Sequence, residues 1–234
     1  MSKAILVTGG TKGIGKEILK KFMENGYDGI TCSRNEKELL ELKEEMEGSY
    51  PGKKLAVKAA DLSKKEEVTS FAAYVKGITH PDILVNNTGI FIPGAIHSEP
   101  EGNFELIMKT NLFSAYYLTR EFTEGMIQRR QGHIFNMGSI AGLAAYANGG
   151  SYAISKWALR GLTQGLRQEL MEHNIKVTSI LAGATYTASW EGAGLPEERF
   201  VKAIDVAETV WMASNLSVSA VVEEIIVRPQ LGDI

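Results

Sequence analysis

The chain has 234 residues, with 25 Lys and Arg against 28 Asp and Glu and a formal net charge of −3. Signs are interspersed with no polybasic patch, which argues against nucleic acid or an anionic membrane as a main partner. The single cysteine, Cys32, excludes an internal disulfide and fits a reducing compartment, with a small buried strand residue as its simplest role.

No apolar run reaches transmembrane length, and Lys3 to Val7 leads directly into a glycine-rich turn where a signal peptide would stand. A cytoplasmic protein is expected. The length suits one large α/β domain or two small ones. With no internal repeat, low-complexity tract or linker, one domain over residues 1–234 is expected.

Short apolar runs alternate with helical patterns along the chain. Ala4 to Val7 reads as a strand, and the helix after it carries Ile14, Ile18, Leu19 and Phe22 on one side before stopping near Asn25-Gly26. Gly29 to Cys32 is a second strand. Asn35 can cap a charged helix with Leu39, Leu40, Leu42 and Met46 as its stripe. Leu55 to Ala59 and Asp82 to Val85 are the third and fourth strands, and between them Ser63 can cap a helix with Val68, Phe71, Ala72 and Val75. A long helix from about Asn103 to Gln128 precedes the Ile134 strand. The helix containing Tyr152 precedes Val177 to Leu181, and one around Val206 to Ala213 precedes a last strand, Val221 to Val227.

Strand and helix thus alternate through seven strands. Right-handed crossovers make this a Rossmann-type doubly wound parallel sheet with helices on both faces, and its ligand crevice lies at the carboxyl ends of the strands.

The first turn, Thr8-Gly9-Gly10-Thr11-Lys12-Gly13-Ile14-Gly15, stands at that end. Its glycines permit a tight turn and let backbone amides approach a pyrophosphate at a helix N-terminus. The spacing is Gly-x-x-x-Gly-x-Gly, so the generic Gly-x-Gly-x-x-Gly fingerprint is not met literally. At the end of the second strand, Thr31-Cys32-Ser33-Arg34-Asn35 contains no acid for an adenosine 2′-hydroxyl. Arg34 and Lys12 would instead pair a 2′-phosphate, which favours NADP(H).

Tyr152 and Lys156 stand at i and i+4 on one helix face, with Ser139 upstream at a strand end. A cation within ~4–6 Å favours a phenolate, so Lys156 is expected to bring the Tyr152 phenol down from its usual ~10 toward neutrality.

Thr8-Gly9-x-x-x-Gly13-Ile14-Gly15, Asp61, Asn86-Asn87-x-Gly89, Asn111, Ser139 and Tyr152-x-x-x-Lys156 follow in the order and spacing of the short-chain dehydrogenase/reductase family, which the chain resembles over nearly its whole length. The resemblance implies catalysis by Asn111, Ser139, Tyr152 and Lys156. Asp61 would hold the adenine amino group, Asn86 would support the adenosine ribose region and the central strand, and Lys156 would also bind the nicotinamide ribose. Asn111 would kink its helix and position a water leading to Lys156. Further cofactor contacts are implied at Gly9, Thr11, Lys12, Gly13, Ile14, Gly15, Ser33, Arg34, Leu62, Asn87, Thr88, Gly89, Gly183, Thr185 and Thr187. Hydride would pass to a carbonyl carbon, with Ser139 donating a hydrogen bond to the oxygen and Tyr152 delivering the proton.

The sequence departs from the family pattern at Thr88, Gly138 and Ala182, the last in place of a proline, and it lacks the glycine-rich tail. Its ending, with Ala184-Thr185-Tyr186-Thr187 and Trp190, is similar to bacterial sepiapterin-reductase-like members. In sepiapterin reductases a carboxylate near the C-terminus anchors the pterin, and Asp233 is the counterpart here, although it reads equally as a frayed terminal residue. Phe91, Tyr146, Tyr186 and Trp190, with Ile92 and Ile96, would line a pocket for a flat or hydrophobic carbonyl compound. The Glu191 to Leu195 segment reads as a lid. No His/Cys/Asp cluster has metal-ligand spacing.

A carbonyl reductase is expected, possible pterin side-chain or diketone substrates included. A 3-oxoacyl-carrier-protein reductase shares all the catalytic residues, and an NADP(H)-sensing regulator is the non-enzyme alternative. Phe113, Tyr117, Trp157 and Leu166 fall on more than one face of the two long helices, so a homodimer or homotetramer is expected.

Overall fold

The computed structural model describes residues 3–187 and 194–234. Seven parallel strands, β1 (Ala4–Thr8), β2 (Asp28–Ser33), β3 (Leu55–Ala59), β4 (Ile83–Asn86), β5 (Gly132–Met137), β6 (Ile175–Ala182) and β7 (Glu224–Val227), lie in the order β3-β2-β1-β4-β5-β6-β7. The order reverses between β1 and β4, so their carboxyl ends diverge around a crevice. β7 starts later than expected: Val222 is spent on accepting a hydrogen bond from the Thr178 hydroxyl, and the ladder with β6 begins at Ser179 and Glu224.

Helices α1 (Gly13–Glu24), α2 (Glu36–Ser49) and α7 (Ala203–Ser214) cover one face; α3 (Lys65–Lys76), α5 (Ser114–Arg129) and α6 (Gly150–Leu170) cover the other. Alternation along β1 decides which side chain serves which core. Ile5 and Val7 meet Ile18, Phe22 and Val210, whereas Ala4 and Leu6 meet Phe71, Leu118 and Phe122. The first core is tied by edge-to-face rings, Phe22 lying 5.0 Å from Trp211 and 5.2 Å from Tyr27.

Asn35 does cap α2, its side chain accepting the Glu38 amide. Ser63 does not cap α3: the helix starts at Lys65 after an uncapped Lys64, and the Ser63 hydroxyl turns back to Asp61 Oδ1 at 2.7 Å. The long helix expected from Asn103 is divided into α4 (Asn103–Met108), a π-helical turn (Lys109–Phe113) and α5. The extra residue of that turn falls at Asn111, which the site uses.

Candidate active site

The ends of β1 to β5 and the starts of α1, α2 and α6 build the crevice. After β1, Gly9 and Gly13 take φ of 67° and 54°, a conformation open to glycine at little cost. Gly10 is pinned from below, its amide donating to the Thr31 hydroxyl, which donates in turn to the Val7 carbonyl. The first turn of α1 has neither a side-chain cap nor an acidic residue, so its free amides and the helix dipole face the crevice as an anion cradle. A Cβ on Gly15 would stand 2.5 Å from the Gly9 carbonyl oxygen, so this position has room only for hydrogen. These features fit a dinucleotide pyrophosphate. Thr11 and Gly13 edge the cradle, and the Thr187 side chain closes over Gly13; Ile14 packs downward onto the core.

The Thr8 hydroxyl holds the far wall. It accepts the amides of Asn87 and Thr88, each at 2.9 Å, while Asn87 Nδ2 donates to the Thr8 and Gly9 carbonyls. Asn86, expected to support the adenosine ribose region and the central strand, is buried within the sheet, where its Nδ2 donates to Thr119 and to Asn136. Strand alternation separates it from its neighbour: Asn86 points into a core face, and the first crevice residue is Asn87. Leu62 likewise packs into the core. Asp61 sits at the β3 end with its carboxyl held below the usual value: partial burial pushes it up, but hydrogen bonds from Ser63 and the charges of Lys64 and Arg34 outweigh this.

At the β2 end, Ser33 is folded onto the Asn35 backbone and Arg34 is exposed. Lys12 is not a free cation beside it. Its ammonium pairs with Glu38 Oε1 at 2.9 Å, and Glu38 also takes hydrogen bonds from the Asn35 and Thr11 side chains. Sequence reading missed Glu38, although Asn35-x-x-Glu38 has capping-box spacing that places this carboxylate at the start of α2.

Gly89 marks where the crevice meets the reactive groups: a Cβ there would lie 3.3 Å from Asn111 Oδ1 and 3.6 Å from Lys156 Nζ. Asn111 accepts the Ile90 amide at 2.8 Å and donates to the Ile90 carbonyl and the Ser155 hydroxyl, so the π turn is latched to the β4 loop on one side and to α6 on the other. Ser139 follows β5, its Oγ accepting the Ala141 amide, and its hydroxyl also hydrogen-bonds Tyr152.

Burial pushes the Tyr152 phenol up to about 12, the Ser139 hydrogen bond pulling against it and Tyr146 adding to the rise. The same desolvation brings Lys156 down to about 8. The expected lowering of the phenol by Lys156 is therefore absent. The Lys156 ammonium lies 5.6 Å from the Tyr152 ring centroid and spends its hydrogen bond on the Met137 carbonyl at 2.8 Å. Sharing a helix face brought the two side chains together without placing the ammonium on the phenol oxygen.

Phe91 stacks edge-on against Tyr152, with centroids 4.9 Å apart, and Tyr146 stands on the same side. Tyr186 packs beside Phe200. Thr185 donates to the Gly183 carbonyl, and Gly183 donates to Val227, so this part of the loop is bound to the sheet beside β7. Asp233 is engaged by Arg228 in the exposed C-terminal segment, a geometry unlike that expected of a substrate anchor. Trp190 and Glu191 to Ala193 lie outside the described residues. Among the described residues, no group of three His, Cys, Asp or Glu could hold a metal, and no helix is long and apolar enough to cross a membrane.

Residues 3–197 match the family model for short chain dehydrogenases. A sepiapterin reductase of Chlorobaculum tepidum is 31% identical over 100% of this chain and 99% of that protein. An NADP-dependent 3-hydroxy acid dehydrogenase of Escherichia coli K12 is 32% identical over 91% of this chain and 89% of its own length. Among solved structures, the closed form of a serine dehydrogenase complexed with NADP+ superposes with a TM-score of 0.89 at 29% identity, covering 99% of this chain and 96% of that one.

Proposed function

This chain belongs to the short chain dehydrogenase family, and we propose that it is an NADP(H)-dependent oxidoreductase that reduces the carbonyl group of a small ketone or aldehyde. The observation that carries the reading is Ser139 set beside the Tyr152 phenol, with Lys156 buried one turn further along, all at the mouth of a glycine cradle. NADP-bound structures of similar proteins and the absence of an acid at the β2 end support the phosphorylated cofactor.

The reduced dinucleotide supplies the hydride. Ser139 donates a hydrogen bond to the substrate oxygen, which then takes the Tyr152 proton. An alkoxide is a stronger base than a phenolate, so the substrate oxygen can take the proton of a phenol held at about 12, and the Lys156 ammonium beside the ring favours the phenolate left behind. Asn111 holds Ser155 and the Ile90 backbone, which keeps α6 and the β4 loop in register around Tyr152.

Phe91 and Tyr146, both about half exposed beside Tyr152, support a flat or apolar substrate. The test is consumption of NADPH, followed by its absorbance, with sepiapterin, simple diketones, aromatic aldehydes, 3-oxo acids and an acetoacetyl thioester. One class turning over with NADPH and at least tenfold more slowly with NADH is expected; NADPH binding without turnover of any class would favour the regulatory reading. Association as a homodimer or homotetramer is proposed through the π turn, α5 and α6, where Phe113, Tyr116, Ile154 and Trp157 are exposed, while Tyr117 and Leu166 pack on the core. Light scattering giving the mass of one chain would refute it.

A further inference from the structure

We propose that Glu38 sets how strongly the protein prefers the phosphorylated over the unphosphorylated dinucleotide, by occupying Lys12 before the cofactor arrives. The inference rests on the NADP(H) reading above. Lys12 ends the glycine turn, Arg34 ends β2, and Glu38 stands in the first turn of α2; the three form the rim where an adenosine 2′-substituent would lie. Of the two cations, only Lys12 is paired. Its ammonium meets Glu38 Oε1 at 2.9 Å, whereas no ion pair includes Arg34 among the described residues.

Glu38 is not a freely swinging surface acid. Asn35 Oδ1 caps its amide, the Asn35 and Thr11 side chains hydrogen-bond its carboxylate, and its side chain is 31% exposed against 64% for Lys12. The carboxylate is thus held at the rim by α2 and the glycine turn together, and the lysine is the more exposed partner. A 2′-phosphate that takes Lys12 must first break this pair, then stands near a fixed like charge. A 2′-hydroxyl carries no charge and needs no such exchange. Glu38 therefore penalises NADPH and not NADH, and keeps the selectivity below what Lys12 and Arg34 would otherwise give.

The test is fluorescence titration of NADPH and NADH into the wild type, Glu38→Gln, Lys12→Met and the double variant at one low ionic strength. Glu38→Gln is expected to tighten NADPH about fivefold, the upper end for an exposed pair, and to change NADH by less than about twofold. In the Lys12→Met background the same substitution should change NADPH affinity by less than about twofold. Glu38→Ala must move in the same direction, which separates loss of the carboxylate from any effect particular to the amide.

Unchanged or weaker NADPH binding in Glu38→Gln would overturn the inference. So would an equal gain for both cofactors, or a gain that persists undiminished without Lys12. A wild type that binds NADH as tightly as NADPH would overturn the cofactor reading and this inference together, whereas a wild type preferring NADPH with an inert Glu38 would overturn this inference alone.

Discussion

Tyr152→Phe is expected to lower kcat for carbonyl reduction by about 10²–10⁴-fold and to leave NADPH affinity within about twofold. The ring and its edge contact with Phe91 survive the substitution, and only the hydroxyl bonded to Ser139 is removed. The substrate oxygen then loses its proton source. The same geometry sets a pH dependence. Burial holds Lys156 down at about 8, so below that pH its ammonium offers a positive charge to the phenolate formed on proton transfer, and above it does not. For the wild type, kcat of reduction should be flat below about pH 8 and fall above it. A rate that rises through that range, or a Tyr152→Phe variant with wild-type turnover, would remove Tyr152 and Lys156 from the roles proposed for them.

Gly15→Ala should cost about 1–3 kcal/mol of stability and at least about tenfold in NADPH affinity. The added methyl would meet the Gly9 carbonyl at 2.5 Å and Asn87 Nδ2 at 2.6 Å, and the carbonyl is backbone with nowhere to go. Asn87 would have to release Thr8 and Gly9, opening the cradle where the phosphates would lie. Gly161→Ala is the matched control: it also lies in a helix, a Cβ there meets nothing within 4 Å, and alanine gains up to about 1 kcal/mol in an open helical position. Thermal melts and cofactor titrations of both variants read the contrast. If Gly15→Ala binds NADPH as tightly as Gly161→Ala, the cradle is misplaced.

What was legible in the sequence follows from which forces are local. Alternating apolar runs located the strands because a strand in a doubly covered sheet must be apolar on both faces, as in Ala4–Thr8. The glycine turn was legible because only glycine fits its backbone and its packing. The break at Asn111 was implied only by the family resemblance and not by the local pattern, because its partner is the Ile90 backbone 21 residues away. Nor was the state of Tyr152 and Lys156, since i and i+4 spacing specifies a shared face while burial, a property of the whole fold, decides both proton affinities. Asn86 and Asn87, by contrast, differ by local strand alternation alone, one residue separating a sheet brace from a crevice wall.

The Thr8 hydroxyl that joins β1 to β4 also bears on how the chain finds its fold. Thr8 and Asn87 are 79 residues apart, whereas Asn86 and Asn136, which bridge the next pair of strands, are separated by only 50. Closing the longest loop carries the largest chain-entropy cost among the strand pairings, and it is the step that brings the two halves of the sheet together. The crevice does not exist on either half before that closure. A ligand in the cradle, which binds the closed junction and not the separated halves, would therefore stabilise the pairing whose closure orders the most chain.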